Sequence, residues 1–287
     1  MKKFYFKSYC KINLYLKVLK KLKSGYHIIE SLATFVNIYD VIALSETKNF
    51  KDKIIFYGKF AKGINFKSNT ITKCLNLLRA NGNLKDKFFE VSIKKNTPHG
   101  SGLGAGSANA AYFLNFLNIR YKLNLSKKKL STLATKIGDD VELCLIRKTS
   151  YIDGINKTIK RLNRKLSLNL LIVFPNIKCS TKKIYLSNKI YSQHDKFIFN
   201  KLKSKKKIIN FLKVHPNDLQ KTVTKKYKIV KKLINFISNQ KKCYFARVTG
   251  SGSACFGVFP NFKSTKAAKT LIKKKFPKYW SVVSKTV

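Results

Sequence analysis

Residues 98–107 carry a glycine at every second position from 100 to 106 and read Pro98-His99-Gly100-Ser101-Gly102-Leu103-Gly104-Ala105-Gly106-Ser107. Because glycine has no Cβ atom, such a backbone can approach a ligand closely and aim several N–H groups at it. Residues 89–93 alternate between apolar and polar side chains, as a strand does, while Ala110, Phe113, Leu114 and Leu117 follow at helical spacing. The order strand, glycine loop, helix N-terminus predicts an anion site suited to a polyphosphate.

Other interpretations of this glycine loop fit the residues less well. A flexible linker would not lie directly between a strand and a helix rich in alanine. A P-loop needs Lys-Ser or Lys-Thr after its last glycine, and a dinucleotide fingerprint needs the spacing Gly-x-Gly-x-x-Gly. Neither pattern is present in residues 98–107. We therefore expect phosphate binding by a different motif.

A cluster of acidic residues is the second notable feature. The chain contains 12 Asp and Glu residues, and three of them lie within Asp139-Asp140-Val141-Glu142. Transfer of a phosphoryl group to an alcohol is helped by a carboxylate that accepts the hydroxyl proton. A turn with solvated acids at the end of a helix would have the same composition. From the residues alone, both interpretations stay open.

The remaining sequence predicts an α+β protein. Strands are expected at 11–19, 26–44, 89–93, 170–174, 246–249 and 255–259, and further helices at 69–78, 126–137, 206–214, 225–237 and 266–275. A basic segment of low signal at 155–169 marks a candidate boundary. We place an amino-terminal domain at 1–157 and a carboxy-terminal domain at 158–287.

Composition bears on partners and location. The formal net charge of +49 would ordinarily suggest nucleic acid, but only six of the 61 basic residues are Arg, whose planar guanidinium suits phosphate and base contacts. The six cysteines show no Cys-x-x-Cys pair, so we expect reduced thiols and no zinc site. No apolar run reaches the roughly 18 residues of a membrane span. These features favour a cytoplasmic protein with a lysine-rich surface, without a nucleic-acid or membrane partner.

The glycine loop resembles the phosphate motif of the galactokinase, homoserine kinase, mevalonate kinase and phosphomevalonate kinase (GHMP) superfamily, in which Pro-x-Gly-x-Gly-Leu-Gly-x-Gly-Ser-Ser recurs. This chain has Ala108 at the second Ser. The resemblance implies that the loop, with Asn69 and Lys95 nearby, binds ATP. Mg²⁺ is expected to accompany ATP, without a dedicated protein site for the metal.

The acidic cluster resembles the Gly-Ala-Asp-Val motif of one branch of this superfamily. Gly138-Asp139-Asp140-Val141 matches it, with Asp139 in place of a small residue and Glu142 where a Pro is typical. The resemblance implies that Asp140 is the catalytic base. The extra acids either alter the pKa of the base or recruit Mg²⁺, and both possibilities stay open.

Two amino-terminal segments resemble the same branch, namely Lys11-Ile12-Asn13-Leu14-Tyr15-Leu16-Lys17-Val18 and Ser24-Gly25-Tyr26-His27. Its members phosphorylate the 2-hydroxyl of 4-diphosphocytidyl-2-C-methyl-D-erythritol, a step of non-mevalonate isoprenoid synthesis. A lysine on the polar face of a strand is usually just solvated. The resemblance instead implies that Lys11 assists the base by stabilising the developing alkoxide, and that Asn13 contacts the substrate.

Further substrate contacts follow from the resemblance. Tyr26 stacks on the cytosine, His27 hydrogen-bonds it, and Tyr185 in Ser180-Thr181-Lys182-Lys183-Ile184-Tyr185 supplies a second ring. Without the resemblance, either tyrosine would be interpreted as a half-buried core residue. Substrate contacts are also implied for residues beside the second ring and in a second glycine loop, namely Thr181, Gly250, Ser251 and Gly252. The second glycine loop, Thr249-Gly250-Ser251-Gly252-Ser253-Ala254, is further expected to pack against the first.

The resemblance runs from Lys11 to Phe259. It implies a two-domain GHMP kinase fold, with an amino-terminal domain like domain 2 of ribosomal protein S5, a carboxy-terminal ferredoxin-like domain, and the active site in the cleft between them. We expect a monomer or a weak homodimer. Two alternatives stay open: a kinase of the same superfamily that acts on a different small alcohol, and a nucleic-acid-binding protein that uses the positive charge.

Overall fold

The computed structural model describes residues 2–163, 165–194 and 204–287 of the chain. The chain divides into two compact units, each built from separate segments. Unit 1 comprises Met1–Lys11, Ile38–His99 and Gly104–Arg147. Unit 2 comprises Ile12–Asn37, Gly100–Leu103 and Lys148–Val287. The predicted boundary after residue 157 stays a prediction, since these units alternate along the chain.

The elements up to residue 147 include two long strands that contribute residues to both units. In chain order they are β1 (Phe4–Lys21), β2 (His27–Thr47), β3 (Lys53–Tyr57), α1 (Thr70–Ala80), β4 (Phe88–Lys94), α2 (Ala105–Arg120), α3 (Lys127–Ile137) and α4 (Val141–Cys144). In unit 1, β4 pairs with β3 in parallel and with residues 41–47 of β2 in antiparallel orientation. Helices α1, α2 and α3 contact one another.

Side-chain caps and glycine account for the ends of the helices in unit 1. Asn69 accepts hydrogen bonds from the N–H groups of Ile71 and Thr72, so α1 begins there. Ser126 caps α3 in the same way, and α3 ends at Gly138. Helix α2 has no side-chain cap, because Gly104 precedes it. The N-terminus of α2 is therefore left to a ligand or water.

The elements after residue 147 form unit 2 together with the last part of β1, from residue 12, and the first part of β2, up to residue 37. They are β5 (Ser150–Asp153), β6 (Thr158–Arg161), β7 (Asn169–Phe174), α5 (Thr181–Leu186), α6 (Lys205–Val214), α7 (Leu219–Lys226), α8 (Lys228–Ser238), β8 (Phe245–Val248), β9 (Cys255–Phe259), α9 (Phe262–Lys275) and β10 (Trp280–Lys285). Residues 30–33 of β2 pair with β5, and β5 pairs with β6.

An antiparallel sheet with the strand order β10-β7-β9-β8 provides the core of unit 2. All residues of β7 and β9 are buried, as expected for central strands covered by helices. Helix α8 contributes Val230, Leu233 and Ile237 to the same hydrophobic cluster, and α9 contributes Ile272. Burial of these apolar side chains is the main source of stability for the unit.

Most of the predicted strands and helices are confirmed, with ends shifted by a few residues. The prediction of one helix over 225–237 is wrong, because α7 ends at Lys226 and α8 starts at Lys228. Tyr227 has φ −124° and ψ 88° at the break, and it packs against the hydrophobic cluster that includes Cys179. A tertiary contact thus overrides the local helical pattern. The basic segment of low signal at 155–169 contains β6.

Candidate active site

Lys11 and Asp140 form an ion pair in unit 1. Nζ of Lys11 lies 3.1 Å from Oδ2 of Asp140, and the side chains are 4% and 39% exposed. Strand β1 supplies the lysine, and Asp140 follows the turn at Gly138 and immediately precedes α4. The pair places a carboxylate that is open to solvent beside a fixed, buried positive charge.

Gly104 lies directly against Lys11. Its φ angle is +63°, in the left-handed region, and it precedes α2 as the N-cap residue. The first hydrogen bond within α2 runs from the N–H of Ala108 to the carbonyl of Gly104, at 2.9 Å. The N–H groups of Ala105, Gly106 and Ser107 therefore have no acceptor within the helix. Together with the helix dipole they form an anion site next to the lysine.

Ala108, the departure from the GHMP phosphate motif, is 0% exposed. Ser107, one residue earlier, is half-buried. A side chain at position 108 points into the packed interior of unit 1 and does not reach the loop surface. A hydroxyl group at position 108 would therefore lie in the core. Ser107 supplies the hydroxyl group at the helix N-terminus.

Asn69 lies close to the glycine loop but uses its side chain to cap α1. Its Oδ1 accepts from Ile71 and Thr72, and its Nδ2 donates to the carbonyl of Phe66 at 2.9 Å. The next residue, Thr70, donates to the carbonyl of Gly106 at 2.9 Å. This bond joins the start of α1 to the first turn of α2. A contact between Asn69 and ATP stays a prediction.

Lys95 is buried, at 2% exposure, and its ammonium forms an ion pair with Asp40, which is 0% exposed. The backbone of Lys95 extends the pairing of β3 with β4, because its N–H donates to the carbonyl of Tyr57 at 2.7 Å. The expected proximity of Lys95 to the nucleotide stays a prediction. Its positive charge, however, is compensated by Asp40.

The two acids near Asp140 differ in their surroundings. Partial desolvation, and then the negative charge of Asp140, raise the pKa of the Asp139 carboxyl. Glu142 accepts a hydrogen bond from the hydroxyl of Ser131 on α3. Asp139 therefore interacts electrostatically with Asp140, whereas Glu142 links α4 to α3.

The start of the glycine loop belongs to unit 1 and contacts other residues of that unit. Pro98 is buried, and Nε2 of His99 lies 3.1 Å from the carbonyl of Lys62. The middle of the loop, Gly100–Leu103, belongs to unit 2. In unit 2 the carbonyl of Gly100 accepts from the N–H of Cys179 at 2.9 Å.

The middle of the glycine loop packs directly against the second glycine loop, which confirms that expectation. The N–H of Ala254 donates to the carbonyl of Ser101 at 2.9 Å, and the hydroxyl of Thr249 donates to the carbonyl of Gly102 at 3.4 Å. A Cβ atom at Gly102 would overlap the carbonyl of Thr249. Only glycine fits at position 102 without moving the neighbouring backbone.

Asn13 contacts the second glycine loop from β1. Its N–H donates to the Thr249 hydroxyl at 2.9 Å, and its Nδ2 donates to the hydroxyl of Ser31 at 2.8 Å. The side chain is 2% exposed. A Cβ atom at Gly250 would lie 3.4 Å from Oδ1 of Asn13, so this residue lines the loop closely.

His27 and Tyr185 are neighbours in unit 2, and their contact with cytosine stays a prediction. Their ring centroids are 5.1 Å apart, with an interplanar angle of 41°. Nε2 of His27 is buried and has no hydrogen-bond partner among the described residues. Burial, and then the charge of Lys21, lower the pKa of His27. Tyr26 is 64% exposed, which leaves its ring free for stacking.

Thr181 and Ser251 link the second glycine loop to α5. Their hydroxyl oxygens are 2.9 Å apart, and Thr181 is the first residue of α5. Tyr185 lies one turn further along the same helix. Two predicted substrate contacts, Thr181 and Tyr185, therefore share one short helix.

Sequence reasoning missed Asp40 and Asn217, which support the two glycine loops. Nδ2 of Asn217 donates to the carbonyls of Val248 (3.1 Å) and Gly250 (2.8 Å). Asp40 is bonded to residues on either side of the first loop. The scarcity of carboxylates in this chain was a signal for Asp40, but nothing in the local pattern indicated that Asp40 is buried.

The described residues form neither a cluster of metal ligands nor a membrane-spanning helix. Within residues 2–163, 165–194 and 204–287, no group of three or more His, Cys, Asp or Glu side chains is arranged to hold a metal ion. No helix in this described part has both the length and the apolar character required to cross a bilayer.

Comparisons with known proteins identify the family of this chain. The family model for the GHMP kinases N terminal domain matches residues 69–147, and the model for GHMP kinases C terminal matches residues 198–280. A 4-diphosphocytidyl-2-C-methyl-D-erythritol kinase of Pelagibacter ubique (strain HTCC1062) is 37% identical over 287 residues, covering 100% of both chains. The kinase of the same name from Wolbachia pipientis wMel is 29% identical, covering 98% of this chain and 97% of its own length.

Solved structures show the same fold. A crystal structure of 4-(cytidine 5'-diphospho)-2C-methyl-D-erythritol kinase aligns with a TM-score of 0.77 at 20% identity, over 99% of this chain and 100% of the other. Homoserine kinase from Cytophaga hutchinsonii aligns with a TM-score of 0.67 at 16% identity, over 98% and 95%. The predicted α+β, two-domain GHMP kinase fold is thereby confirmed. The chain belongs to the 4-diphosphocytidyl-2-C-methyl-D-erythritol kinase family of the GHMP kinases.

Proposed function

We propose that this chain transfers the γ-phosphoryl group of ATP to the 2-hydroxyl of 4-diphosphocytidyl-2-C-methyl-D-erythritol, in the non-mevalonate pathway and in the cytoplasm. The observation that carries the proposal is the Lys11–Asp140 ion pair, which lies beside the uncapped N-terminus of α2. A relative that is 37% identical to this chain over its full length is named 4-diphosphocytidyl-2-C-methyl-D-erythritol kinase.

The glycine loop and α2 bind the triphosphate. The N–H groups of Ala105, Gly106 and Ser107 are directed away from the helix and supply donors for phosphate oxygens. The aliphatic stem of Lys11 lies against Gly104, the residue that precedes these donors. Positive charge and N–H donors at one place stabilise the negative charge of the transferring phosphoryl group.

Asp140 acts as the general base. Its carboxylate takes the proton of the 2-hydroxyl while the hydroxyl oxygen attacks the γ-phosphorus, and the bond to the β-γ bridging oxygen breaks to release ADP. Lys11 stabilises the negative charge that develops on the attacking oxygen. The 39% exposure of Asp140 leaves the carboxylate accessible to an acceptor.

Residues of unit 2 select the acceptor. His27, whose Nε2 has no hydrogen-bond partner among the described residues, bonds the cytosine, and Tyr26 and Tyr185 provide rings for stacking. Asn13, Thr181 and the second glycine loop from Gly250 to Gly252 contact the remainder of the substrate. A site that hydrogen-bonds a base discriminates strongly against acceptors lacking that base.

Mg²⁺ fits this site as a partner of the nucleotide. The ion usually keeps several waters and binds through one or two carboxylates plus substrate phosphates, so it needs no cluster of three protein ligands. Asp139, whose pKa is raised by desolvation and by Asp140, is the residue that would contact the ion. When bound, the ion neutralises charge on the β- and γ-phosphates. We further propose that the protein acts as a monomer or weak homodimer without nucleic acid.

Release of ADP by the purified protein tests this proposal. We expect ADP to form from ATP and Mg²⁺ only when 4-diphosphocytidyl-2-C-methyl-D-erythritol is added. Homoserine, mevalonate and galactose serve as alternative acceptors at equal concentration. Turnover with one of these three, and none with the cytidyl substrate, would assign the chain a different acceptor.

A further inference from the structure

Asp40 lies outside the residues that we assign to catalysis or binding, yet donors surround its buried carboxylate in unit 1. Oδ1 accepts from the N–H of Asn96 (3.0 Å) and from the N–H (3.1 Å) and hydroxyl (2.7 Å) of Thr97. Oδ2 accepts from the ammonium of Lys95 and from Nδ2 of Asn109 at 3.1 Å. The side chain is 0% exposed.

These donors lie on both sides of the glycine loop along the chain. Asn96 and Thr97 immediately precede Pro98, where the loop begins. Asn109 is on α2, two residues after Ser107, where the loop ends. A single carboxylate therefore ties the entry of the loop to its exit.

We infer that Asp40 is a positioning residue for ATP, because it fixes the two ends of the glycine loop and so presents the N-terminus of α2 to the polyphosphate. Glycine-rich backbone is conformationally permissive, and its ordering by a ligand costs binding free energy. Charge-assisted hydrogen bonds in a buried site are strong enough to order it in advance. The inference rests on the proposed function in one respect, namely that ATP binds this loop.

A purely structural role for the Asp40–Lys95 ion pair is the alternative, and Asn109 separates the two roles. Its Oδ1 is buried with no hydrogen-bond partner among the described residues. Replacing Asn109 by leucine removes this unsatisfied acceptor together with the bond to Asp40, so the two effects on stability oppose each other. The Asp40–Lys95 pair itself stays in place.

The first experiment compares Asn109→Leu with Asn115→Leu. Asn115 is on the same helix and donates to the carbonyl of Leu145 at 2.8 Å, away from the loop. The dissociation constant of adenosine 5'-(β,γ-imido)triphosphate is measured by calorimetry without any acceptor, and amide hydrogen exchange is followed in peptides covering residues 96–108. We expect Asn109→Leu to weaken binding and to speed exchange, each about tenfold, with a melting temperature near that of Asn115→Leu.

Wild-type affinity and exchange in Asn109→Leu would overturn the inference, provided that Asn115→Leu behaves like the wild type. Equal effects from both leucine substitutions would do the same, because they would indicate a general loosening of α2. The readout needs no acceptor, so failure of the proposed cytidyl substrate does not affect it. If the wild type does not bind the ATP analogue at all, the role of Asp40 toward ATP is overturned together with the proposed function, and the exchange rates then report only whether Asp40 orders the loop.

A second comparison addresses Asp40 itself. Asp40→Asn alone leaves the Lys95 ammonium buried and unpaired, which destabilises the fold. Asp40→Asn combined with Lys95→Met removes both charges and replaces the acceptor that Asn109 uses. We expect this double variant to bind the analogue as weakly as Asn109→Leu, and the triple variant to bind no more weakly. Additive losses of affinity in the triple variant would contradict the inference that Asp40 and Asn109 act through the same contact.

Discussion

A Cβ atom at Gly104 would lie 2.7 Å from Cε and 2.9 Å from Cγ of Lys11. The stem of the lysine thus fills the space that a side chain at position 104 would need. The φ angle of +63° independently favours glycine. Glycine at this position therefore serves the backbone turn and the placement of the lysine at the same time.

Gly104→Ala should lower kcat by about tenfold or more, because the added methyl group displaces the lysine that assists transfer. The left-handed backbone should also cost about 1 kcal/mol of stability. Gly82→Ala is the matched control, since Gly82 has φ +79° and its Cβ would meet only Cε of Lys85, at 3.9 Å. We expect Gly82→Ala to lose similar stability and keep the wild-type kcat. Equal kcat values in the two variants would show that displacement of the lysine does not cause a loss of kcat.

Asp140→Asn should reduce kcat by about 10²–10⁴-fold, because an amide cannot accept the hydroxyl proton. Affinity for the ATP analogue should stay close to the wild-type value, since the N–H donors of α2 are unchanged. Steady-state ADP release and calorimetry measure the two quantities. Asp86→Asn, at an exposed position, is the control for removal of one negative charge. Full activity in Asp140→Asn would exclude Asp140 as the base.

The KM for the cytidyl substrate should depend on pH through His27. Burial and the charge of Lys21 lower its pKa below the ordinary value of 6.5, so the neutral ring predominates at pH 7. Protonation converts an acceptor nitrogen into a donor, so we expect KM to be constant at and above pH 7 and to rise in acidic solution below the ordinary pKa of 6.5. His27→Gln cannot titrate and should abolish the rise. The same pH profile in both proteins would assign the effect to another group.

Arg247→Met should destabilise unit 2 by about 3 kcal/mol, because three buried carbonyls lose their donor. The guanidinium is bonded to the carbonyls of Leu14 (3.1 Å), Leu212 (2.7 Å) and His215. Arg120→Met is the control, since Arg120 is exposed and lies over the Phe4 ring at 4.7 Å, a contact of about 1 kcal/mol or less. Urea unfolding measures both. Similar losses in the two variants would refute a special role for the buried guanidinium.

The glycine loop, the order of elements around it and the Asp140 turn were predictable, because local patterns determine them. The Lys11–Asp140 distance was not, since 129 residues separate the two positions in the sequence and only the packing of β1 brings them together. The resemblance supplied that pairing. Periodicity alone assigns a lysine on a strand to the solvent.

The missed features share one physical cause, which is tertiary context. Nothing near Asp40 indicates that five donors will surround its carboxylate. The helical pattern continues through Tyr227, yet packing against the hydrophobic cluster that includes Cys179 accompanies a break there. Strand β10 pairs with β7, more than 100 residues earlier, and short strands of this kind carry little local signal.

The segmented make-up of the two units limits how this chain can recombine with its relatives. The chain passes between the units after Lys11, Asn37, His99, Leu103 and Arg147. A single crossover between two homologous genes would therefore leave at least one unit with segments of mixed parentage. A crossover between positions 40 and 109 separates the buried pair Asp40 and Asn109, and one between 102 and 249 separates Gly102 and Thr249, so viable chimaeras should preserve both partners of each pair.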